Sequence, residues 1–380
     1  MKSNIYIFGA GQYGRDCLEY LRKFKDIEVA AFIDNDPSRQ AERINGIECI
    51  SVETAIKRGA QAQPVLISPL QSEGITKQLK DLNFDKVVCV GEWIKRQKFF
   101  TPVTFEKSDY AEAKPFNYFE SPYPDLVEIH QHEKEIFDHQ KEVLGIDFHI
   151  ERQLELAKEM EGIDLPGWTE QRSGTAYRYY YGNSYFDKGS ADILYYMIRM
   201  IRPRRIIEVG SGFSTAVMLD TNEHYFDNKI NIIAIEPRAE RLKALLKPED
   251  NLSLYEKDLQ DIPLTFFEML EEDDILFIDS SHVSKINSDV NYIFFEILPR
   301  LKKGIYIHFH DIFYPFIYPK NWIYEGRVYS EMYLLRAFLM NNNMFSIQFF
   351  GEMLACTQKD KIGDKLIGNC SGSIWIKKDR

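Results

Sequence analysis

Residues 204–220 read RRIIEVGSGFSTAVMLD, a β-branched run that ends at Glu208 and Val209 and breaks at once into Gly210, Ser211 and Gly212. Glycines here supply positive φ and remove the Cβ atoms that would keep a ligand off the backbone. Ser214 and Thr215 then open a helical pattern, whose first N–H groups lack partners inside the helix and form a seat for a carboxylate or phosphate. The next apolar run, NIIAIEP at 231–237, ends in Glu236, and an acid at the tip of the second strand of a doubly wound sheet is where a ribose diol is gripped. Each feature alone also serves packing or a solvated strand end. Their order on successive elements predicts nucleoside binding.

Working outward, a helix is expected from Ser190 to Ile201 and strands over Arg205 to Val209, Ile230 to Ile235, Ile275 to Ile278 and Gly304 to His308. DILFIDSSH at 274–282 leaves Asp279 at the carboxyl end of the fourth strand, with His282 three residues on. GIYIHFHDIFYP at 304–315 brings His310 and Asp311 to the same rim, which is where open α/β sheets place their ligands. Asp279, His310 and Asp311 are therefore the expected metal ligands, and carboxylate oxygens suit Mg²⁺ or Mn²⁺. Such an ion orients a diol and acidifies a bound hydroxyl, while a nearby histidine takes the proton. His308, alternating with core residues, is expected in the interior. Phe309, Phe313, Tyr314, Phe316, Tyr318 and Trp322 are expected to position an acceptor and exclude water. The acidic run 271–274 reads as a solvated turn.

The first 95 residues carry a similar alternation. IYIFGAGQYGRDCLEYL at 5–21 sets Gly9, Gly11 and Gly14 in G-x-G-x-x-G spacing between a strand, Asn4 to Phe8, and a helix to about Phe24, with Asp34 ending the next strand, Val29 to Ile33. Further strands are expected at Val65 to Ser68 and Lys86 to Val90. Between 92 and 167 the pattern turns charged and Pro-flanked, with helices expected at Leu126 to Leu144 and Phe148 to Met160. The fold class is α/β: two tandem Rossmann-like domains, at 1–95 and 168–380, joined by a helical connector at 96–167. The first is short for a full dehydrogenase, and no Tyr-x-x-x-Lys pattern accompanies it.

A chain of 380 residues, 44% hydrophobic and 28% charged, is long enough for two cores and polar enough for a soluble protein. Its net charge of −11, from 47 basic and 58 acidic residues, argues against a nucleic-acid partner, because that binding rests on Lys and Arg neutralising phosphates. No apolar run reaches the ~18 residues that span a bilayer. No secretory signal is visible, and a cytoplasmic location is expected. Cys17, Cys49, Cys89, Cys356 and Cys370 lack C-x-x-C spacing and read as free thiols. The sequence is compatible with a homo-oligomer.

On IIEVGSGFST (206–215), DILFIDSSHVSKINSDVNYIFFEILPRLKKG (274–304) and IHFHDIFYPFIYPKNW (307–322) the chain resembles class I S-adenosylmethionine (SAM)-dependent methyltransferases, over roughly residues 146–375. The resemblance implies a seven-stranded sheet with an antiparallel last strand. It also implies SAM held by Glu208, Gly210, Gly212 and Glu236, with Ser211, Ser214 and Asp279 in the same pocket and adenine contacts near Asp258. More distantly the region is similar to macrolide-sugar O-methyltransferases, which implies Asp279 and Asp311 as Mg²⁺ ligands and His282 as the base. His310 stands where those enzymes carry a carboxylate. Cephalosporin hydroxylase-like enzymes share this metal scaffold, so the scaffold alone does not define methyl transfer. AAFIDNDPSRQ (30–40) and INGIECIS (44–51) resemble the N-terminal domains of sugar acyltransferases and other polysaccharide-pathway proteins, which implies a nucleotide or nucleotide-sugar site at Gly9, Gly11, Gly14 and Asp34, or a packing role without ligand. The expected activity is metal-assisted O-methylation of a small-molecule or glycan hydroxyl. An NAD(P)- or nucleotide-sugar-dependent enzyme centred on the first domain, and a non-catalytic scaffold, are the other two readings.

Overall fold

The computed structural model describes residues 3–22, 27–40, 42–69, 72–90, 121–172, 174, 176–363, 366 and 371–380. The chain divides into two compact units, Met1–Ala113 and Lys114–Arg380. The segment expected as a separate connector belongs, over its described part, to the second unit: helix Ile150–Glu161 sends Ala157 and Met160 into that unit's core. The single helix expected at Leu126 to Leu144 is two short ones, Leu126–Gln131 and Glu133–Ile136. Beyond them the Asp138 carboxylate accepts the Gln140 N–H at 2.9 Å, a local bond that competes with helix continuation. The expected end at Phe24 and the residue Cys370 lie outside the described residues.

In the first unit the strands β1 (Ser3–Phe8), β2 (Ile27–Ile33), β3 (Arg43–Ile44), β4 (Ile47–Ile50), β5 (Pro64–Ile67) and β6 (Lys86–Cys89) form one sheet in the order β3-β4-β2-β1-β5-β6. It is parallel except for the β3–β4 hairpin. Helix Gln12–Leu21 follows the first glycine turn and buries Gly14, Cys17, Leu18 and Leu21, the spacing of one helical face.

The second unit holds β7 (Arg205–Val209), β8 (Asn231–Ile235), β9 (Leu252–Tyr255), β10 (Ile275–Ile278), β11 (Tyr306–His310), β12 (Phe345–Phe349) and β13 (Ser373–Lys378) in the order β12-β13-β11-β10-β7-β8-β9. β13 runs antiparallel to both its neighbours and the other pairs are parallel. Strands β10 and β12 are buried at every position, as a sheet covered on both faces requires. From β7 the chain winds outward through β8 and β9, then returns to β10 on the other side. The crevice between β7 and β10 is thus the switch point at which such sheets bind ligands. Ile278 pairs with Val209 and Phe309, so the ends of β7, β10 and β11 emerge side by side. β11 extends two residues past the expected end at His308, and β9 and β12 were not expected.

The segment 177–186 starts in a buried ion network and ends with Tyr185 and Phe186 among the residues that line this rim. The Arg178 guanidinium pairs with Asp220 at 2.9 Å, Glu223 at 2.7 Å and Asp250. The backbone N–H groups of Arg178 and Tyr179 also donate to Asp220, at 2.9 and 3.0 Å. Asp220 lies on helix Phe213–Tyr225, so the network ties this segment to the helix that the glycine turn opens.

Candidate active site

Gly210 has φ +81°, and a Cβ added to it would lie 1.9 Å from the carbonyl oxygen of Asp279. No side chain fits there, so the turn after β7 lies directly against the tip of β10, where the Asp279 N–H donates to the Val209 carbonyl at 2.8 Å. Glu208 lies beneath the turn, fully buried. Its two oxygens accept Ser214 Oγ–H at 2.6 Å and Thr215 Oγ1–H at 2.5 Å, while Thr215 Oγ1 accepts the Gly212 N–H at 3.0 Å. Burial pushes Glu208 up to about 7 against the pull of these hydroxyls. Glu208 thus braces the loop from below through Ser214 and Thr215, and Ser214 also lines the cleft that runs to His282.

Glu236 ends β8 and accepts the Ser211 N–H at 3.1 Å and the Arg238 N–H at 2.8 Å; burial raises its pKa. It lines two adjoining clefts that share Gly210, Arg238, Asp279, Ser280 and Ser281. One, of about 460 Å³, continues past Asp258, Leu259 and Gln260. The other, of about 510 Å³, runs past Ser211, Gly212 and Ser214 to His282, walled by Tyr185 and Tyr329. The Tyr185 ring stacks on Phe213 at 6.0 Å and carries the Arg241 guanidinium 3.7 Å from its centroid. A backbone cradle that a Cβ would fill, a carboxylate at the second strand tip and clefts on both sides of it fit an elongated nucleoside cofactor.

At the far end of the second cleft four side chains converge. His282 Nε2 lies 3.4 Å from Asp279 Oδ1 and 3.3 Å from Asp311 Oδ2, and its Nδ1 lies 2.8 Å from Glu331 Oε2. His282 and Asp311 both adopt left-handed backbone, with φ of +60° and +58°, a conformation that His and Asp reach more readily than most side chains. Burial alone would deprotonate His282, but Asp279, Glu331 and Asp311 outweigh it and raise its pKa well above 6.5. Burial opposes ionisation of Asp279 too, yet His310 and His282 hold it below the usual carboxylate range. For Asp311 burial prevails and raises the pKa.

The metal set expected from the sequence is not assembled. Among the described residues no group of three His, Cys, Asp or Glu side chains is arranged to hold a metal ion. The space between Asp279 and Asp311 is taken by the His282 imidazole. His310 remains a member of β11, 7% exposed, packed on Phe186 at 5.1 Å and His308 at 5.8 Å. Its Nε2 stands 3.7 Å from Asp311 Oδ1. His308 is buried, stacked on Phe277 at 3.9 Å; burial, reinforced by His310, puts its pKa well below 6.5. Phe309 and Phe316, expected near an acceptor, lie in the core. The cleft's aromatic walls are Tyr185, Phe186, Phe213 and Tyr329, none of which the sequence marks as an acceptor contact. Glu331, also not foreseen, opens helix Glu331–Leu339 and is 1% exposed.

In the first unit Gly9 has φ +97°, and a Cβ there would meet Pro69 and Ser68 at 2.8 Å. Asp34 accepts the Ala10 N–H at 2.7 Å. Gly11 is the N-cap of the helix and Gly14 lies buried in its first turn.

Residues 207–312, which span the second glycine turn and the three strand tips, match the family model described as a methyltransferase domain. An uncharacterized protein of Archaeoglobus fulgidus is 35% identical over 165 residues, 42% of this chain and 74% of that one. The chain belongs to that protein's family, and its second unit carries a methyltransferase domain at residues 207–312. Solved structures of similar fold include CmcI with Mg and SAM (22% identity, 51% of this chain and 73% of that one, TM-score 0.32). Another is the O-methyltransferase TomG of Streptomyces achromogenes, involved in tomaymycin synthesis, in complex with SAM (14% identity, 67% and 96%, TM-score 0.33). The UDP-D-quinovosamine 4-dehydrogenase of Vibrio fischeri covers 26% of this chain and 87% of its own at 22% identity and a TM-score of 0.22. Among the described residues no helix is long and apolar enough to cross a membrane.

Proposed function

We propose that the second unit, within residues 168–380, transfers the methyl group of SAM to a hydroxyl of a small polyhydroxylated acceptor, a sugar or glycan, with His282 as the base. The observation that carries this is the placement of His282 Nε2 between Asp279 and Asp311, at the end of the cleft that begins at the glycine cradle. Bound SAM supplies an electrophilic methyl carbon on a positively charged sulfur. The Gly210–Gly212 backbone and Glu236 hold its nucleoside, with Asp258 on the adenine side. An alcohol is a feeble nucleophile and sheds its proton as it attacks, which calls for a positioned base. Nε2 of His282 takes that proton as the carbon–oxygen bond forms and the carbon–sulfur bond breaks. The positive charge lost at sulfur reappears on the imidazole, where Asp279, Asp311 and Glu331 stabilise it. Because these acids also keep the ring protonated in the empty cleft, turnover rises with pH through an apparent pKa above 6.5, and cofactor charge in the cleft works to lower that value.

The carboxylates suit neighbouring hydroxyls and the faces of Tyr185 and Tyr329 suit a sugar ring. Release of S-adenosylhomocysteine from SAM, followed across hexoses, nucleotide sugars and matched amines, tests the reading. Stimulation by hydroxyl acceptors is expected, and stimulation by amines alone contradicts it. For the first unit we infer a nucleotide or nucleotide-sugar site at Gly9, Gly11, Gly14 and Asp34, supported by the Gly9 backbone and the Asp34 carboxylate; equilibrium dialysis with UDP-sugars and NAD decides it.

A further inference from the structure

Glu331 is 49 residues from His282 in sequence, yet it and its neighbour hold the histidine from several sides. Glu331 Oε2 lies 2.8 Å from His282 Nδ1, and Oε1 accepts the Ser280 Oγ–H at 2.8 Å. Ser280 Oγ in turn accepts the His282 N–H at 3.0 Å. The Ser330 and Glu331 N–H groups donate to the His282 carbonyl at 2.8 and 3.1 Å, and Ser330 Oγ accepts the Ser284 N–H at 2.8 Å. The first turn of helix Glu331–Leu339 is therefore bonded to both the backbone and the ring of a residue in left-handed conformation. A carboxylate with 1% exposure is costly to bury unless its oxygens are used, and here the ring and Ser280 use them.

We propose that Glu331 is the positioning residue of this site: it takes the Nδ1–H of His282, fixing the ring so that only Nε2 faces the cleft between Asp279 and Asp311. The inference rests on the reading of His282 as the base and adds what orients it. An imidazole whose Nδ1–H is committed to a carboxylate has one tautomer available when it loses a proton, the one with a free lone pair on Nε2. A second-sphere carboxylate also raises the basicity of the opposite nitrogen. The groups facing the ring are Asp279 from β10, Asp311 from β11 with His310 behind it, Glu331 and Ser280, and the Tyr329 ring at 5.0 Å. Of these, Glu331 alone addresses Nδ1.

The test is long-range ¹H–¹⁵N NMR of the full-length, histidine-labelled protein, with the His282 signals assigned by their loss in His282→Asn. In the wild type, Nδ1 keeps its proton across the titration while Nε2 loses its own. In Glu331→Gln, an isosteric change that removes the charge, the His282 midpoint falls by about one to three pH units, while SAM affinity read by calorimetry stays within about twofold, since Glu331 does not line the cofactor clefts. An unprotonated Nδ1 in the wild type, which needs no variant to detect, or an unchanged midpoint in Glu331→Gln, overturns the proposal. Failure of the wild type to bind SAM overturns the methyltransferase reading of the cleft and leaves the Glu331–His282 result standing on its own.

Discussion

The two units carry the same turn and put different chemistry beside it. In both, the first glycine has positive φ, +97° at Gly9 and +81° at Gly210, with no room for a side chain. In both, the acid at the second strand tip accepts an N–H from the turn: Asp34 from Ala10 at 2.7 Å and Glu236 from Ser211 at 3.1 Å. The difference lies on the neighbouring strand. Beside Gly9 stands Ser68, whose hydroxyl returns to the Phe8 and Gly9 carbonyls. Beside Gly210 stands Asp279, and with it His282, Asp311 and Glu331. The two turns are thus alike in backbone, and the strand next to each decides which side chains stand beside it.

The largest effect that breaks this contrast is removal of the base. His282→Ala is expected to lower turnover by roughly 10²- to 10⁴-fold while sparing SAM affinity, checked by S-adenosylhomocysteine release and calorimetry on the same sample; unchanged turnover removes His282 from the chemistry. Next comes the buried ion network at Arg178, which anchors the start of the segment leading to Tyr185. Arg178→Ala leaves Asp220 and Asp250 buried without their partner and is expected to cost about 3–5 kcal/mol of stability, read as a shift in the denaturation of the second unit.

How far the sequence reaches also follows from this contrast. Both glycine turns, Glu236, Asp279, Asp311 and the strands around them are legible, because a parallel strand buried on both faces is a continuous apolar run and its carboxyl end is marked by the first polar residue. β9, LSLY, has no such run, being alternately half-buried and exposed. The placement of His310 has a related reason. With β11 continuing to His310, the strand's two-residue period puts His308 and His310 on one covered face against Phe277 and Phe186. Asp311 is then the first residue to turn out. Glu331, Tyr185 and Tyr329 had no local signal, since what makes them part of the site is contact across tens of residues.

A smaller effect sharpens the role of Glu208, the acid under the turn. Its pKa is raised from 4.5 to about 7 by burial. The unfolded chain therefore releases its proton first, and stability falls as pH climbs from about 4.5 to about 7, then levels off. Glu208→Gln has no proton to release, so it should lack this decline, a difference of about 3 kcal/mol across that window. Denaturation at both pH values checks it, and parallel curves for the two proteins contradict it.

On the proposed reading, SAM sits on the Gly210 cradle beside Glu236. Calorimetric titration of SAM into the full-length protein tests it most directly: a single saturable heat is expected, with affinity weakened at least about tenfold in Glu236→Ala, as loss of a charged acceptor for two hydroxyls implies. No heat from the intact protein, or equal affinity in the two, would contradict the account.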